Sequence, residues 1–495
     1  MKTALVIGAG IGGIAISARL AKNGFKVTVF EKNDTPGGRF NKIERHGFRF
    51  DTGPTLFLMP EIFADTYSSL GEKMEDHLDL IRLDPTYRVY LHDNTIVDLT
   101  SDINDMRVQL DSIEHGSFPA YLRFLSEGYR HYNLSLKHFV GRNFINFFQF
   151  FNPKNIPLIF KLKALTTHYK NLTHYFKDPR LRALFSFQNM YLGLSPYKAL
   201  ATYSLLQYTE LAEGVWFPRG GMYKVIETLV KIAENLGVQF KYGISVEKIN
   251  IDGSRASGIT LSDGEKINAD LIIANADLPY VYSKLLPDNT MSKKLNKKKY
   301  TSSALMFYWS VKGERSKKLL HHNVFLADNK YEESFKSIFN DLTLPEEPSF
   351  YVCAPTRTDP SFAPSDGDSL LILVPVGHIN DERPQNWDYL RKYAKEYVLS
   401  KLLNLGINIS PENIIYEDSI GPMDYLNSLN LSKGSAFGLS HNFMQVGYFR
   451  PHNRHPRYKN LYFVGASTHP GTGVPIVLIS ARLVMERILS EKWWI

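Results

Sequence analysis

Thr3-Ala4-Leu5-Val6-Ile7-Gly8-Ala9-Gly10-Ile11-Gly12-Gly13 opens the stretch that decides the fold, Met1 to Phe40. Its first five residues form an apolar run long enough for one buried parallel strand. The next six carry G-x-G-x-x-G at Gly8, Gly10 and Gly13. The Ala-rich stretch from Ile14 to Asn23 predicts a helix, and Gly24 is placed to end it. Lys26-Val27-Thr28-Val29-Phe30 predicts a second strand, followed at once by Glu31. In a dinucleotide site the first glycine allows the tight turn, the second admits backbone to the pyrophosphate, and the third lets helix pack on strand. The helix N-terminus offers unpaired N–H groups and partial positive charge to that pyrophosphate. Glu31, 21 residues after Gly10, is spaced to hold a ribose hydroxyl and to repel a 2′-phosphate. A merely structural turn needs one or two glycines. Four in six residues, with strand, helix, strand and acid in order, predict a cofactor site at Gly8, Gly10, Ile11, Gly12, Gly13 and Glu31.

With 495 residues, 44% hydrophobic and 22% charged, the chain has room for two to four lobes with sizeable cores. Twenty-eight Tyr and thirty-one Phe predict large apolar walls. The single cysteine, Cys353, excludes an internal disulfide framework and any cysteine-based metal cluster. Its strand-like setting, Phe350 to Cys353, predicts a small core residue rather than a nucleophile. No run reaches the 18 apolar residues of a spanning helix. The short, glycine-interrupted start does not read as a signal peptide. The expected location is therefore the cytoplasm, with peripheral attachment to a membrane.

The surplus of positive charge is local. Pro119 to Arg180 holds ten Lys or Arg against Glu127 and Asp178, an excess equal to the whole chain's +8. Within it, Phe144-Ile145-Asn146-Phe147-Phe148-Gln149-Phe150-Phe151 and Ile156 to Phe160 set aromatic and aliphatic residues among lysines. Rings buried among acyl chains and cations facing anionic headgroups make an interfacial docking element. The same residues also suit a helical lobe whose aromatics line its own core or a tunnel. The two uses are compatible. The aromatics are clustered rather than interleaved with arginine, and no nucleic-acid module is present, so no nucleic-acid partner is expected. His452 and His455 have no neighbouring carboxylate or Cys in sequence, so no metal is expected.

Beyond the acid, Glu31-Lys32 and, after five intervening residues, Gly38-Arg39 continue the pattern, followed by Phe50-Asp51-Thr52-Gly53-Pro54-Thr55. These segments resemble the FAD-binding fold of amine oxidases, protoporphyrinogen oxidases and carotenoid desaturases. The resemblance implies FAD, with Gly38 and Arg39 over the flavin side of the pyrophosphate and Lys32, Pro54 and Thr55 nearby. The block from Gly214 to Asp277 resembles that fold's second cofactor segment, which implies adenine contact at the Val246 backbone and a role for Asn275. The C-terminal strand ending at Gly465 is followed by His469-Pro470-Gly471-Thr472-Gly473-Val474-Pro475, which opens a last helix; the resemblance implies flavin contact at Gly465, Gly473, Val474 and Pro475. That helix's N-terminus would favour the negative charge of reduction.

Phe449-Arg450-Pro451-His452-Asn453-Arg454 and the Gly465 to Pro475 segment are most similar to bacterial carotenoid (phytoene) desaturases. Thr472 and Ile476 lean toward the branch of hydroxycarotenoid 3,4-desaturases. The expected fold is mixed α/β: a Rossmann-like FAD domain (1-80, 210-290 and 425-495), a sheet-containing substrate domain (81-118 and 291-424), and a helical, membrane-facing lobe (119-209). The implied reaction is desaturation of a long apolar carotenoid by hydride loss to flavin and then proton loss, with oxygen or quinone as final acceptor. No catalytic residue is assigned; His469 is the residue weighed. Alternatives on the same resemblance are phytoene desaturation, carotene isomerisation, an amine or porphyrinogen oxidase, and a flavin-free prenyl-binding escort protein.

Overall fold

The computed structural model describes residues 1–286, 288–327 and 330–491; residues 287, 328, 329 and 492–495, within the ranges assigned above, lie outside the description. The apolar run at the start becomes β1 (Thr3–Ile7), the middle strand of a five-stranded sheet. Its neighbours are β2 (Lys26–Phe30) and β4 (Leu271–Ala274), with β3 (Gln239–Lys241) and β5 (Leu461–Phe463) at the edges, in the order β5-β4-β1-β2-β3. Every pairing is parallel. A strand buried on both faces must be apolar throughout, and Ala4 to Ile7 all are.

Helix α1 (Ile11–Lys22) begins three residues earlier than the sequence pattern predicts. Gly10 in extended backbone serves as its N-cap, so the glycines themselves form the first turn rather than preceding it. Gly24, at φ +83°, takes the left-handed position just past the C-cap Asn23, as expected of it. Against α1 pack α3 (Lys224–Asn235) and the final helix α4 (Val474–Glu491). The sequence expects one strand from Lys266 to Ile273. The structure splits it: Lys266–Asn268 ends a three-stranded antiparallel sheet with Val246–Asp252 and Arg255–Leu261, and Leu271 begins β4. Asp270, at the break, accepts hydrogen bonds from the Thr3 amide and hydroxyl and so fixes the start of β1.

The other large sheet has seven strands, and Ser303–Lys312 and Gly367–Val376 run antiparallel at its heart. Nearly all residues of both strands are buried. Its far side carries Phe350–Cys353, His322–Phe325 and Tyr87–Tyr90. The Pro355 to Pro360 string, for which the sequence offers no rule, forms two short turns. There Arg357 pairs with buried Asp368 at 2.8 Å, and Asp359 accepts from the Gly220 amide. Helix α2 (Ser117–Ser135) and a series of short helices to Glu213 make the remaining lobe, which holds no named strand.

Candidate cofactor and substrate cavity

One cavity of about 660 Å³ runs from the C-terminal ends of β1 and β4 into the helical lobe. The residues expected at the cofactor all line it except Gly13. Gly13 sits behind the wall, where a Cβ would lie 2.1 Å from the Gly8 carbonyl; only glycine lets α1 sit so close to β1. At Gly12 a Cβ would meet the Asn275 amide oxygen at 2.5 Å. The loop is therefore narrow because backbone, not side chain, forms its surface.

Glu31 is buried and holds this loop together. Its carboxylate accepts from the Ala9 amide at 2.8 Å and the Asn33 amide at 3.0 Å. Asn275 donates to the Gly8 carbonyl at 3.3 Å, which ties the end of β4 to the glycine turn. Arg39 donates to the Ala436 carbonyl at 2.9 Å, and burial lowers its guanidinium pKa despite the nearby Asp277. Asp51 accepts from the Met222 and Tyr223 amides at 2.8 and 3.0 Å, joining Phe48–Asp51 to the start of α3. Burial pushes its carboxyl up to about 6.

The chain's last third closes the other wall. Arg450 is fully buried and donates to five backbone carbonyls, those of Leu439, Ser440, Gln445, Ala466 and Thr468. His441 Nε2 accepts from the Thr472 amide at 3.1 Å, so its ring proton is on Nδ1. His469 Nε2 donates to the Arg142 carbonyl at 2.8 Å, which leaves Nδ1 as a lone pair with no partner. Both histidines line the cavity. Burial holds His441 well below its usual range, and Arg450 adds to the effect. Burial also takes His469 down to about 4, although its bond to the Arg142 carbonyl pulls the other way. His441 and Arg450 act through folding of residues 439 to 472, and no local sequence pattern announces either role.

Away from the glycines the lining changes character. Leu136, Phe139, Phe187, Met190, Leu205 and Leu206 come from the helical lobe. Val324 and Tyr351 come from the seven-stranded sheet, and Leu326 from just past the strand His322–Phe325. Such a pocket combines a nucleotide-sized, backbone-walled groove with an apolar extension.

Residues 11–489 match the family model described as flavin containing amine oxidoreductase. The chain is 46% identical to the zeta-carotene-forming phytoene desaturase of Myxococcus xanthus, across 98% of this chain and 93% of that protein. It is 41% identical to the phytoene desaturase of Fusarium fujikuroi, across 99% and 90%. The chain belongs to the carotenoid (phytoene) desaturase family of flavin-containing amine oxidoreductases. Among solved structures, putrescine oxidase bound to putrescine superposes with a TM-score of 0.64 over 99% of both chains, at 16% identity. That likeness is one of fold.

This family member is an FAD-dependent oxidoreductase. The mixed α/β flavin fold and FAD are as expected from sequence, and the flavin-free alternative falls. The groove's residues fit the group: amides at the start of α1, small residues where the backbone must be approached, and a carboxylate beneath the turn. The lean toward hydroxycarotenoid 3,4-desaturases finds no counterpart among these relatives, whose names are those of phytoene desaturases. No helix among the described residues is long and apolar enough to cross a membrane.

Proposed function

We propose that the protein desaturates a long acyclic polyene of the phytoene class, drawn from a membrane surface. The observation that carries this reading is the continuity of the glycine-walled groove with an apolar extension built from Leu, Phe, Met and Tyr. A hydrocarbon has no charged handle, so its affinity must come from buried area, at about 25 cal/mol per Å². The relatives' phytoene desaturase names support the substrate class.

Bound FAD supplies a two-electron acceptor for hydride. The glycine loop and the N-terminus of α1 would hold its diphosphate, with Glu31 and Asn275 fixing the loop. Gly465, Gly473, Val474 and Pro475 border the same cavity at the start of α4, where the helix dipole favours added negative charge. The lobe's apolar residues orient the chain and exclude water. Once hydride has left, an allylic cation remains on the polyene, and an adjacent carbon loses a proton to restore neutrality. His469 Nδ1 is the group assigned to take it: neutral, unpartnered and at the cavity wall.

Residues 142 to 170 fit the membrane side of this reading. Phe148 and Phe160 are 78% and 66% exposed, while Phe150 and Ile159 on the same short helices line the cavity. Exposed Arg142, Lys154, Lys161 and Lys170 lie in the same stretch of chain. One face then meets acyl chains and the other meets substrate.

A second reading, late 3,4-desaturation of a hydroxylated carotenoid, is favoured by Thr472 and Ile476, both at the cavity. The test is anaerobic mixing of FAD-loaded protein with phytoene and, separately, with a hydroxylated acyclic carotenoid. The proposal expects flavin bleaching, a red-shifted polyene and loss of two hydrogens per step with phytoene. Turnover of the hydroxylated compound alone would support the second reading. Bleaching without new conjugation sinks both.

A further inference from the structure

Outside the cavity wall, His321, His322 and Cys353 come together in the core beside the seven-stranded sheet. Against the metal-free expectation from sequence, we propose that they form a site for one borderline-to-soft cation, zinc(II) or copper(I), with Cys353 as its single thiolate, that holds the seven-stranded sheet behind the substrate cavity. Their ligand atoms all lie within 4.8 Å of one another, and it is the one such grouping of three among the described residues. Strand register explains the meeting: His322 stands directly opposite Cys353 in the antiparallel pair His322–Phe325 and Phe350–Cys353. His321 precedes the strand and folds back, its ring 4.4 Å from that of His322.

Three features separate this cluster from ordinary core packing. All three residues are buried, at 4%, 0% and 4% exposure. The Nε2 atoms of both histidines have no hydrogen-bond partner. Each ring is also held at its other nitrogen by a hydroxyl: His321 Nδ1 by Thr358 at 2.7 Å and His322 Nδ1 by Tyr351 at 2.6 Å. Metal-binding histidines are oriented in this way. For His322 the tautomer follows from the bonds. Tyr351 gives its own proton to Thr55 at 2.9 Å, so it accepts from His322 Nδ1–H and leaves Nε2 a lone pair.

Two imidazole nitrogens and one thiolate make a set that selects zinc or copper(I) over hard cations. Bonds of about 2.0–2.3 Å put such donors roughly 3.5–4 Å apart, so the side chains close by up to about 1 Å when the cation binds. Cation binding displaces the thiol proton to solvent and changes no oxidation state. The functional link is Tyr351, which lines the cavity and is tied both to His322 and to cavity-lining Thr55. The cation thereby fixes the back of the substrate wall. This inference does not depend on which polyene is the substrate.

The test is elemental analysis and X-ray absorption on the flavin-loaded full chain, purified from cells grown with added zinc or copper and dialysed against chelator. The proposal expects about one equivalent of one metal per chain. Its absorption edge should show one sulfur near 2.3 Å and nitrogens near 2.0 Å. Cys353→Ser should lower the metal content at least tenfold while keeping the flavin-to-protein ratio. If that variant does not fold, the sulfur shell of the parent protein still decides. Metal below a tenth of an equivalent after growth with either metal, or metal bound without sulfur, overturns the proposal.

Discussion

The two ends of the cavity are built from different materials. Around Gly8 to Gly13 the wall is main chain, fixed to within tenths of an ångström by Glu31, Asn275 and the close stacking of α1 on β1. In the helical lobe the wall is side chain, and residues from six or more short segments share it. Backbone geometry tolerates almost no substitution where a Cβ has no room. A side-chain wall tolerates exchange as long as volume and apolarity persist. The same cavity therefore has one end that specifies a single cofactor and another that specifies little more than greasiness and length.

Gly13→Val is the most severe way to break that contrast. The new side chain would meet the Gly8 carbonyl, α1 must shift, and the protein should purify colourless with activity down at least about 1,000-fold. The flavin-to-protein absorbance ratio checks it. His469→Gln should lower kcat by about 10- to 100-fold with flavin content and KM nearly unchanged, as the loss of one proton acceptor would. Leu206→Glu, at the side-chain end, should leave flavin bound and raise KM about tenfold, because a charge in an apolar cavity is costly to desolvate. Retained flavin with lost substrate affinity sharpens the comparison, whereas loss of both would undo it.

Acid should weaken the fold more gradually. Burial lowers His168 and His469 to about 4, so the unfolded chain binds protons that the folded one refuses between pH 6.5 and 4. Stability then falls as pH drops through that window, by up to about 1.4 kcal/mol per pH unit for each such histidine. Urea midpoints at pH 7, 6 and 5 measure the slope. The smallest effect on stability is expected from Phe148→Glu with Phe160→Glu. Both rings are exposed, so the urea midpoint should hardly move, within about 0.5 kcal/mol. Binding to vesicles with anionic headgroups should drop severalfold. Unchanged vesicle binding would remove the membrane surface from the proposed function.

This division also explains what could be read from the chain before it folded. The glycines, Glu31, the strands beside them and the helix opening at Val474 follow local rules, so their positions are legible within a few residues. Ile11 rather than Ile14 begins the first helix because the glycine turn is itself helical, a boundary that spacing does not mark. The break at Asp270 depends on partners 267 residues away, Thr3 above all. His441, Arg450 and Tyr351 are invisible to local pattern for the same reason. His441 and Tyr351 owe their places to distant segments meeting, Thr472 and Thr55 among them, and Arg450 gathers carbonyls from both sides, Gln445 five residues away and Thr468 eighteen. The charge excess between Pro119 and Arg180 was legible as composition. Which of its aromatic rings point inward, Phe144 and Phe150, and which outward, Phe148 and Phe160, only the folded lobe decides.

Arg450 carries one more consequence. Its guanidinium has five protons in a planar fork, and five carbonyls converge on it. Lysine keeps the charge but brings only three protons on a single swinging nitrogen, so Arg450→Lys would strand oxygens that have no water to turn to. The residue acts less like an ion than like the hub of a wheel, and the strip of chain that rims the cavity keeps its curvature only while every spoke is attached.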